Sequence, residues 1–172
     1  MKKTMVLLVA VLFAFVSFAG KKGGFKFGYA ELNKVFQSYT DTQKVISYLK
    51  DKENAIKDQL KQEQDKIMKW RDSWANDKKL SKDEKKKKED ELYQRLMQLQ
   101  QMRDSMYAQL DQMRRNYEKK LEDVIIKAAE ELAKQKGLAA IFDRRVVVFG
   151  GIDVTDDLIK LLNSKYVGKV MK

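Results

Sequence analysis

Three residue types are missing from this 172-residue chain: it has no Cys, no His and no Pro. Without Cys there is no disulfide framework, no thiolate nucleophile and no thiolate metal site, and without His there is no imidazole ligand or imidazole general base. Only carboxylate chemistry would remain for an enzyme. Proline at its usual ~5% would occur about eight times in a chain of this length, so its absence favours long uninterrupted helices over a loop-rich enzyme. What is present is charge. Charged residues make up 35% and apolar residues 44%, and Lys+Arg 36 against Asp+Glu 25 leaves a net +11. That excess points to anionic partners: nucleic acid, anionic lipid or lipopolysaccharide, or acidic polypeptide. The length suits one domain, with room for a long appendage.

The N-terminus narrows those partners. Lys2 and Lys3 form a positive n-region, Met5 to Phe18 form an apolar h-region, and Ser17 and Ala19 place small residues before a cut ahead of Gly20. Residues 1–19 are therefore read as a cleaved signal peptide. An uncleaved anchor is the alternative, but ~14 apolar residues fall short of the roughly 20 that span a bilayer. There is no Cys to acylate, which excludes a lipoprotein, and a Cys-free chain suits an oxidising compartment. Removing residues 1–19 takes away two Lys and no acid and leaves +9 on 153 residues. The exported chain stays basic but is separated from chromosomal DNA.

Residues 25–30 alternate aromatic with small or polar side chains, the period of a strand with one buried face. Leu32, Val35, Phe36 and Tyr39 then follow i, i+3, i+4, i+7 spacing, a short amphipathic helix. Thr40 and Gln43 have capping-box spacing and predict the start of the next helix. From there Ile46, Leu49, Ile56, Leu60, Ile67, Trp70 and Trp74 fill a and d positions of a heptad, a narrow stripe that needs a partner helix. Leu92, Leu96, Leu99, Met106, Leu110, Met113 and Tyr117 supply it, interrupted by Arg103, and the step from Tyr117 to Leu121 is a stutter. Between the two stretches, Ser81 and Glu84 make a second capping box after the polar run 76–79, so the chain is expected to reverse there. Each arm would run about 50 to 80 Å at ~1.5 Å per residue. Gly137 sits where a C′ glycine ends a helix.

Two apolar runs follow, Leu138 to Phe142 and Val146 to Phe149, read as strands joined by a tight turn at 143–145. Each is apolar on successive residues, which predicts cover on both faces. Gly150 and Gly151 turn the chain, Thr155 is expected to cap a last helix with Asp156 and Asp157 at its positive end, and Leu158, Ile159, Leu161, Leu162 and Tyr166 form its apolar face. The expected fold class is α+β and mostly helical: a long antiparallel α-helical hairpin, a coiled-coil arm, projecting from a small β-rich oligomerisation body. Residues 20–40 and 137–172 make the body, and residues 41–136 make the arm with its tip near 77–84. About 50 body residues bury too little surface to stand alone without disulfides or metals, so subunits are expected to associate through the strands.

The order of these pieces, with Phe27-Gly28-Tyr29 first, Lys134-Gln135-Lys136-Gly137-Leu138 leading into Ile141-Phe142-Asp143, and Asp153-Val154-Thr155-Asp156-Asp157 before Leu162-Asn163, resembles the Skp/OmpH family of periplasmic chaperones. The resemblance covers the whole chain after residue 19. It implies a homotrimer in which nine short strands form a barrel-like body and three helical hairpins surround a cavity. Unfolded outer-membrane β-barrel proteins would be held there without ATP, with no cofactor and no catalysis. The arms, with their two Trp and several Met, do not match that family residue by residue.

Candidate sites therefore come from the chemistry of the residues themselves. Seven lysines, Lys78, Lys79, Lys82, Lys85, Lys86, Lys87 and Lys88, stand against Asp83 and Glu84, a local +5. They are either a solvated tip or an electrostatic funnel for acidic clients and anionic membrane surfaces, including lipid or lipopolysaccharide. Tyr93, Met97 and Tyr107 share a b/e stripe with Gln100 and Asp104, off the seam, and Met68 and Tyr48 are likewise off-seam on the outgoing helix. Scattered exposed apolar residues need no function, but Met and Tyr are adaptable contacts for a promiscuous binder. Trp70 and Trp74 read as seam residues near the tip. Phe27, Tyr29, Ile141, Phe142, Val146, Val148 and Phe149 are the candidates for subunit association. Asp153, Asp156 and Asp157 lack a companion nucleophile and read as helix-capping acids, and the Gly-Gly pairs lack the spacing of a phosphate-binding loop. The leading function is an ATP-independent periplasmic holdase; the alternative is a structural basic coiled coil that bridges anionic envelope components. Nucleic-acid binding is disfavoured by export and by the lack of an aromatic-basic stacking motif.

Overall fold

The computed structural model describes residues 25–171. The expected signal peptide at 1–19 lies outside the described residues. Strand β1, Phe27–Ala30, is followed by helix α1, Leu32–Ser38, and then by two long helices, α2 at Thr40–Ala75 and α3 at Lys82–Lys136. After these come strand β2 at Ala140–Asp143, a 3-10 turn at Arg144–Val146, strand β3 at Ile152–Asp153, helix α4 at Thr155–Leu161 and a π-helical turn at Leu162–Tyr166.

The sheet has the order β2-β1-β3, and both neighbours run parallel to β1. Parallel neighbours need a long crossover; here that crossover is the whole excursion through α1, α2 and α3. Gly28 and Ala30 face the core, and Phe27 and Tyr29 lie half-buried on the other side. Gly28 permits the fit. A Cβ there would stand 2.9 Å from Leu138 Cδ1 and 3.2 Å from the Ile152 carbonyl oxygen, so a side chain would crowd both the Leu138 side chain and the neighbouring strand β3.

That layer is one apolar cluster: Ala30, Val35, Tyr39, Val45, Leu121, Ile125, Ala128, Leu132, Leu138, Val154, Leu158, Leu162 and Val170. The core thus recruits the first turn and a half of α2 and the last turns of α3. We call the elements packed around this cluster the body and the outer stretches of α2 and α3 the arm.

The long helices have 36 and 55 residues, roughly 54 and 82 Å at ~1.5 Å per residue. Contacts between them pair positions in reverse chain order: Tyr48 stacks edge-on against Tyr117 at 5.8 Å, and Trp70 lies under the Arg95 guanidinium at 4.5 Å. Ile67, Trp74 and Leu110 are buried along the seam, while Leu49, Ile56, Leu60, Trp70, Leu92, Leu99, Met106, Met113 and Tyr117 are half-buried. Two expected seam residues are not in it. Ile46 is 54% exposed and Leu96 is 42% exposed. At Ile46 the helix face turns toward the body, and Val45 is buried there in its place. At Leu96 the inward position is occupied by Arg95, held over Trp70 and paired with Glu91.

The loop between α2 and α3 behaves as the capping box predicts. Ser81 Oγ accepts from the Glu84 N–H, and the Glu84 carboxylate accepts from the Ser81 N–H at 2.9 Å. Gly137 closes α3 at φ 63°, with its N–H on the Ala133 and Lys134 carbonyls.

Three other local expectations are corrected. Thr40 and Gln43 form no capping box: Tyr39 is the N-cap without a side-chain bond, the Thr40 N–H donates to Asn163 Oδ1, and Gln43 Nε2 reaches the Gln37 carbonyl. Val146 to Phe149 is not a strand. Asp143 accepts from the Arg145 N–H and pairs with its guanidinium, which curls the chain into the 3-10 turn, and the third strand forms later at Ile152–Asp153. Nor are both faces of that run covered, since Val148 and Phe149 are 97% and 93% exposed. Finally, Thr155 does not cap α4 through its side chain; its hydroxyl accepts from the Glu31 N–H and donates to Asp153, tying α4 to the β1–α1 junction.

Candidate functional site

Three surfaces are built by this arrangement. The first is on α3, where residues three and four apart share a face. Tyr93, Leu96 and Met97 are exposed side by side, with Tyr93 at 66%. Gln100 and Asp104 continue the row but are hydrogen-bonded to each other, so its polar part is internally satisfied. Tyr107 is half-buried. The off-seam residues of α2 fare differently: Met68 is half-buried, and Tyr48 is drawn into the contact with Tyr117. Of the five residues singled out for client contact, Tyr93 and Met97 stand open. Leu96, beside them, escaped the sequence pattern because its spacing also fits a seam.

The second surface is the tip. Lys78 and Lys79 lie in the loop, where Asp77 accepts from the Lys79 N–H, and Lys82, Lys85, Lys86, Lys87 and Lys88 occupy the first turns of α3. All are exposed except Lys88, which is half-buried with its ammonium 5.7 Å from the Trp70 ring. Trp70 and Trp74 meet edge-on at 5.5 Å beneath. The tip is thus a positive cap over an aromatic seam, with Asp83 and Glu84 at the positive end of the α3 dipole.

The third surface is the outer face of the sheet. Phe27 packs edge-on against Phe142 at 5.6 Å, and these two rings with Val146, Val147, Val148 and Phe149 line a shallow apolar cleft. Arg144 sits over the Tyr29 ring at 5.0 Å. Phe142 is half-buried on this face of β2, whereas Ile141, expected here, pairs with Gly28 and packs against the core on the other side.

The acids near α4 are accounted for by contacts within the chain. Asp153 accepts from the N–H and hydroxyl of Thr155, whose bonds hold its carboxyl below the usual range. Asp156 pairs with Lys34 at 2.8 Å and Asp157 with Lys136 at 2.6 Å. Among the described residues no cluster of acids could hold a metal ion, and no helix is long and apolar enough to cross a membrane.

A family model described as Outer membrane protein (OmpH-like) matches residues 26–162. This chain belongs to the OmpH-like family. OmpH-like, or Skp/OmpH, proteins are periplasmic chaperones. The match takes in both long helices, the three strands and all of α4. No curated protein matches the chain.

Proposed function

We propose that this OmpH-like protein is an ATP-independent holdase that binds unfolded outer-membrane β-barrel proteins after export and cleavage before Gly20. Each chain contributes one antiparallel helical arm, residues 41–136, to a homotrimer whose body is formed by residues 20–40 and 137–172. Clients lie in the cavity between the arms. The observation that carries the reading is the open row of Tyr93, Leu96 and Met97 on α3, beside the at least half-buried seam residues Leu92, Leu99 and Met106. Side chains of this kind adapt to many sequences at little strain, and many weak contacts with an unfolded chain hold it without chemistry.

Subunit association is supported by the cleft around Phe27, Phe142 and Val146 to Phe149, since nearly bare Val148 and Phe149 leave a contiguous apolar patch that is costly in water. Tyr29 lies on the same face of β1 as Phe27, whereas Ile141, paired with Gly28, packs against the core and is dropped from the association surface. Light scattering should find about three chain masses; a folded monomer at micromolar concentration would defeat the trimer.

The client reading is tested by Tyr93→Ser with Met97→Gln. Partial burial at ~25 cal/mol per Å² makes each contact worth about 1 kcal/mol, so the pair should weaken suppression of client aggregation about thirtyfold at unchanged oligomer mass. Unaltered suppression would remove the row from the binding surface. The exposed lysines of the tip favour a second reading, a bridge between anionic envelope polymers, lipid and lipopolysaccharide included. A bridge would tolerate the double substitution and lose function when the lysines are neutralised.

A further inference from the structure

One carboxylate in the body is buried, charged and unrelated to any of the three surfaces. Asp41, in the first turn of α2, has no exposed area. Its two oxygens accept the Gly168 N–H at 2.9 and 2.8 Å, the Val170 N–H at 3.3 Å and the Tyr39 hydroxyl at 3.3 Å, and the Lys44 ammonium stands 3.6 Å away. A carboxylate belongs at a helix N-terminus, but this one also binds a distant strip of backbone. Gly168 makes that possible. At φ 79° it adopts a turn that L side chains rarely adopt, which brings the N–H groups of Gly168 and Val170, two residues apart, onto one acceptor group.

The same strip grips the α1–α2 junction at other points. The Tyr39 hydroxyl shares its one proton between Asp41 and the nearer Tyr166 carbonyl at 2.8 Å, Asn163 Oδ1 accepts from the Thr40 N–H, and Asn163 Nδ2 donates to the Ser38 carbonyl. On its far side the strip is fixed to the root of α3, where Glu131 binds both the Lys165 ammonium and the Tyr166 hydroxyl. The junction it crosses is a single residue in extended conformation, Tyr39 at φ −77° and ψ 123°, with helix on both sides. One extended residue between two helices is a natural hinge. Here its ring is sealed in the core and the backbone on both sides is bonded to residues 163–170.

We propose that residues 163–170 form a latch that fixes the direction of the arm relative to the body, with Asp41 as its positioning residue. Hydrogen bonds to a charged acceptor are among the stronger ones, and the acceptor sits at the pivot, so small changes there are magnified along the length of α2. Burial would raise the Asp41 pKa, but the Gly168 and Val170 N–H groups, the Tyr39 hydroxyl and Lys44 outweigh it and hold the carboxyl below its usual range. The consequence for clients, that the latch sets how far the arms splay, rests on the holdase reading; the latch itself does not.

The experiment uses the absence of native Cys. Asn33→Cys on α1 and Gln59→Cys on α2, spin-labelled and diluted into unlabelled protein, read the distance across the hinge. The distribution should be narrow in the parent and at least about twofold wider with Asp41→Asn, while amides of 40–45 exchange about tenfold faster and those of β1 keep their protection. Tyr39→Phe, which keeps the ring and removes only the hydroxyl bonds, should move both readouts the same way by a smaller amount. An unchanged distance distribution in folded Asp41→Asn overturns the latch. So does uniform acceleration of exchange across arm and body, which would make Asp41 an ordinary stabilising residue. If Asp41→Asn does not fold, Tyr39→Phe decides alone: broadening supports the latch and an unchanged distribution overturns it. No client enters the measurement, so a failed holdase reading leaves its outcome standing.

Discussion

Leu158, Leu162, Val35 and Val154 in the body are sealed from solvent, whereas Tyr93, Leu96 and Met97 on the arm lie open. The two regions share one chain and one family of side chains but use them differently. In the body, helix ends, sheet and α4 converge from several directions, so an apolar residue is surrounded. In the arm two helices meet along one line, and most seam residues are covered on one side only. The body encloses its apolar residues, and the arm leaves part of its own exposed. Surface ion pairs such as Lys57 with Glu53 and Arg114 with Asp111 run along the arm; exposed to solvent, they add little to stability.

The largest expected effect comes from attacking the body. Leu158→Ala removes a side chain with no exposed area and should cost about 2 to 5 kcal/mol. Leu60→Ala, at a half-buried seam position, should cost less than half as much. Denaturant unfolding followed by circular dichroism gives both numbers, and equal costs would erase the distinction between the regions.

Acid should separate them next. The groups facing Asp41 are Tyr39, Lys44 and the 168–170 backbone, with Lys120 bonded to the Val170 carbonyl behind. Its folded pKa is lowered, so its contribution to stability is present above the unfolded value near ~3.9 and is lost as pH falls through the folded value. Body amides should therefore lose protection below about pH 4 before the mid-arm amides do, and Asp41→Asn should flatten that loss. Arm amides that open first would reverse the assignment.

A smaller and purely kinetic effect belongs to the tip. Replacing Lys85, Lys86 and Lys87 by Gln should slow client capture several-fold at low salt and flatten its salt dependence, with unfolding unchanged, because exposed charges act through screened long-range attraction. Stopped-flow capture at two ionic strengths checks this; an unaltered salt slope would reduce the lysines to a solubilising cap. The smallest effect is expected at Trp74, whose buried indole N–H has no hydrogen-bond partner. Loss of ring volume in Trp74→Phe is offset by removal of an unsatisfied donor, so stability should change by less than about 1 kcal/mol.

Part of the exposed surface was legible before the fold. Tyr93 and Met97 are off the heptad stripe and are exposed, and the lysines lie where the capping box turns the chain. Tyr48 misled because a stripe says nothing about how a large ring leans, and its ring leans onto Tyr117. Leu96 misled for the opposite reason: a heptad cannot tell position 95 from 96 when an Arg can cover a Trp face as well as a Leu can fill a hole.

The amino-acid sequence by itself determined where the long helices begin and end around the loop, and where α3 stops. These depend on contacts within a turn or two: no Pro to break them, Ser81 with Glu84 at one end and Gly137 at the other. Only the tertiary structure decided which residues cap α2, which run forms the third strand and which seam positions are open. The Thr40 N–H is satisfied by Asn163 and the Asp41 carboxylate by Gly168, 123 and 127 residues away. Val146 to Phe149 lost the strand to Ile152–Asp153: Asp143 curls the chain ahead of that run, and the two glycines after it, at φ 82° and 86°, turn the chain so that Ile152 pairs with Gly28. Local hydrogen bonds close within a few residues and leave a pattern; long-range partners are brought together only by the packed core.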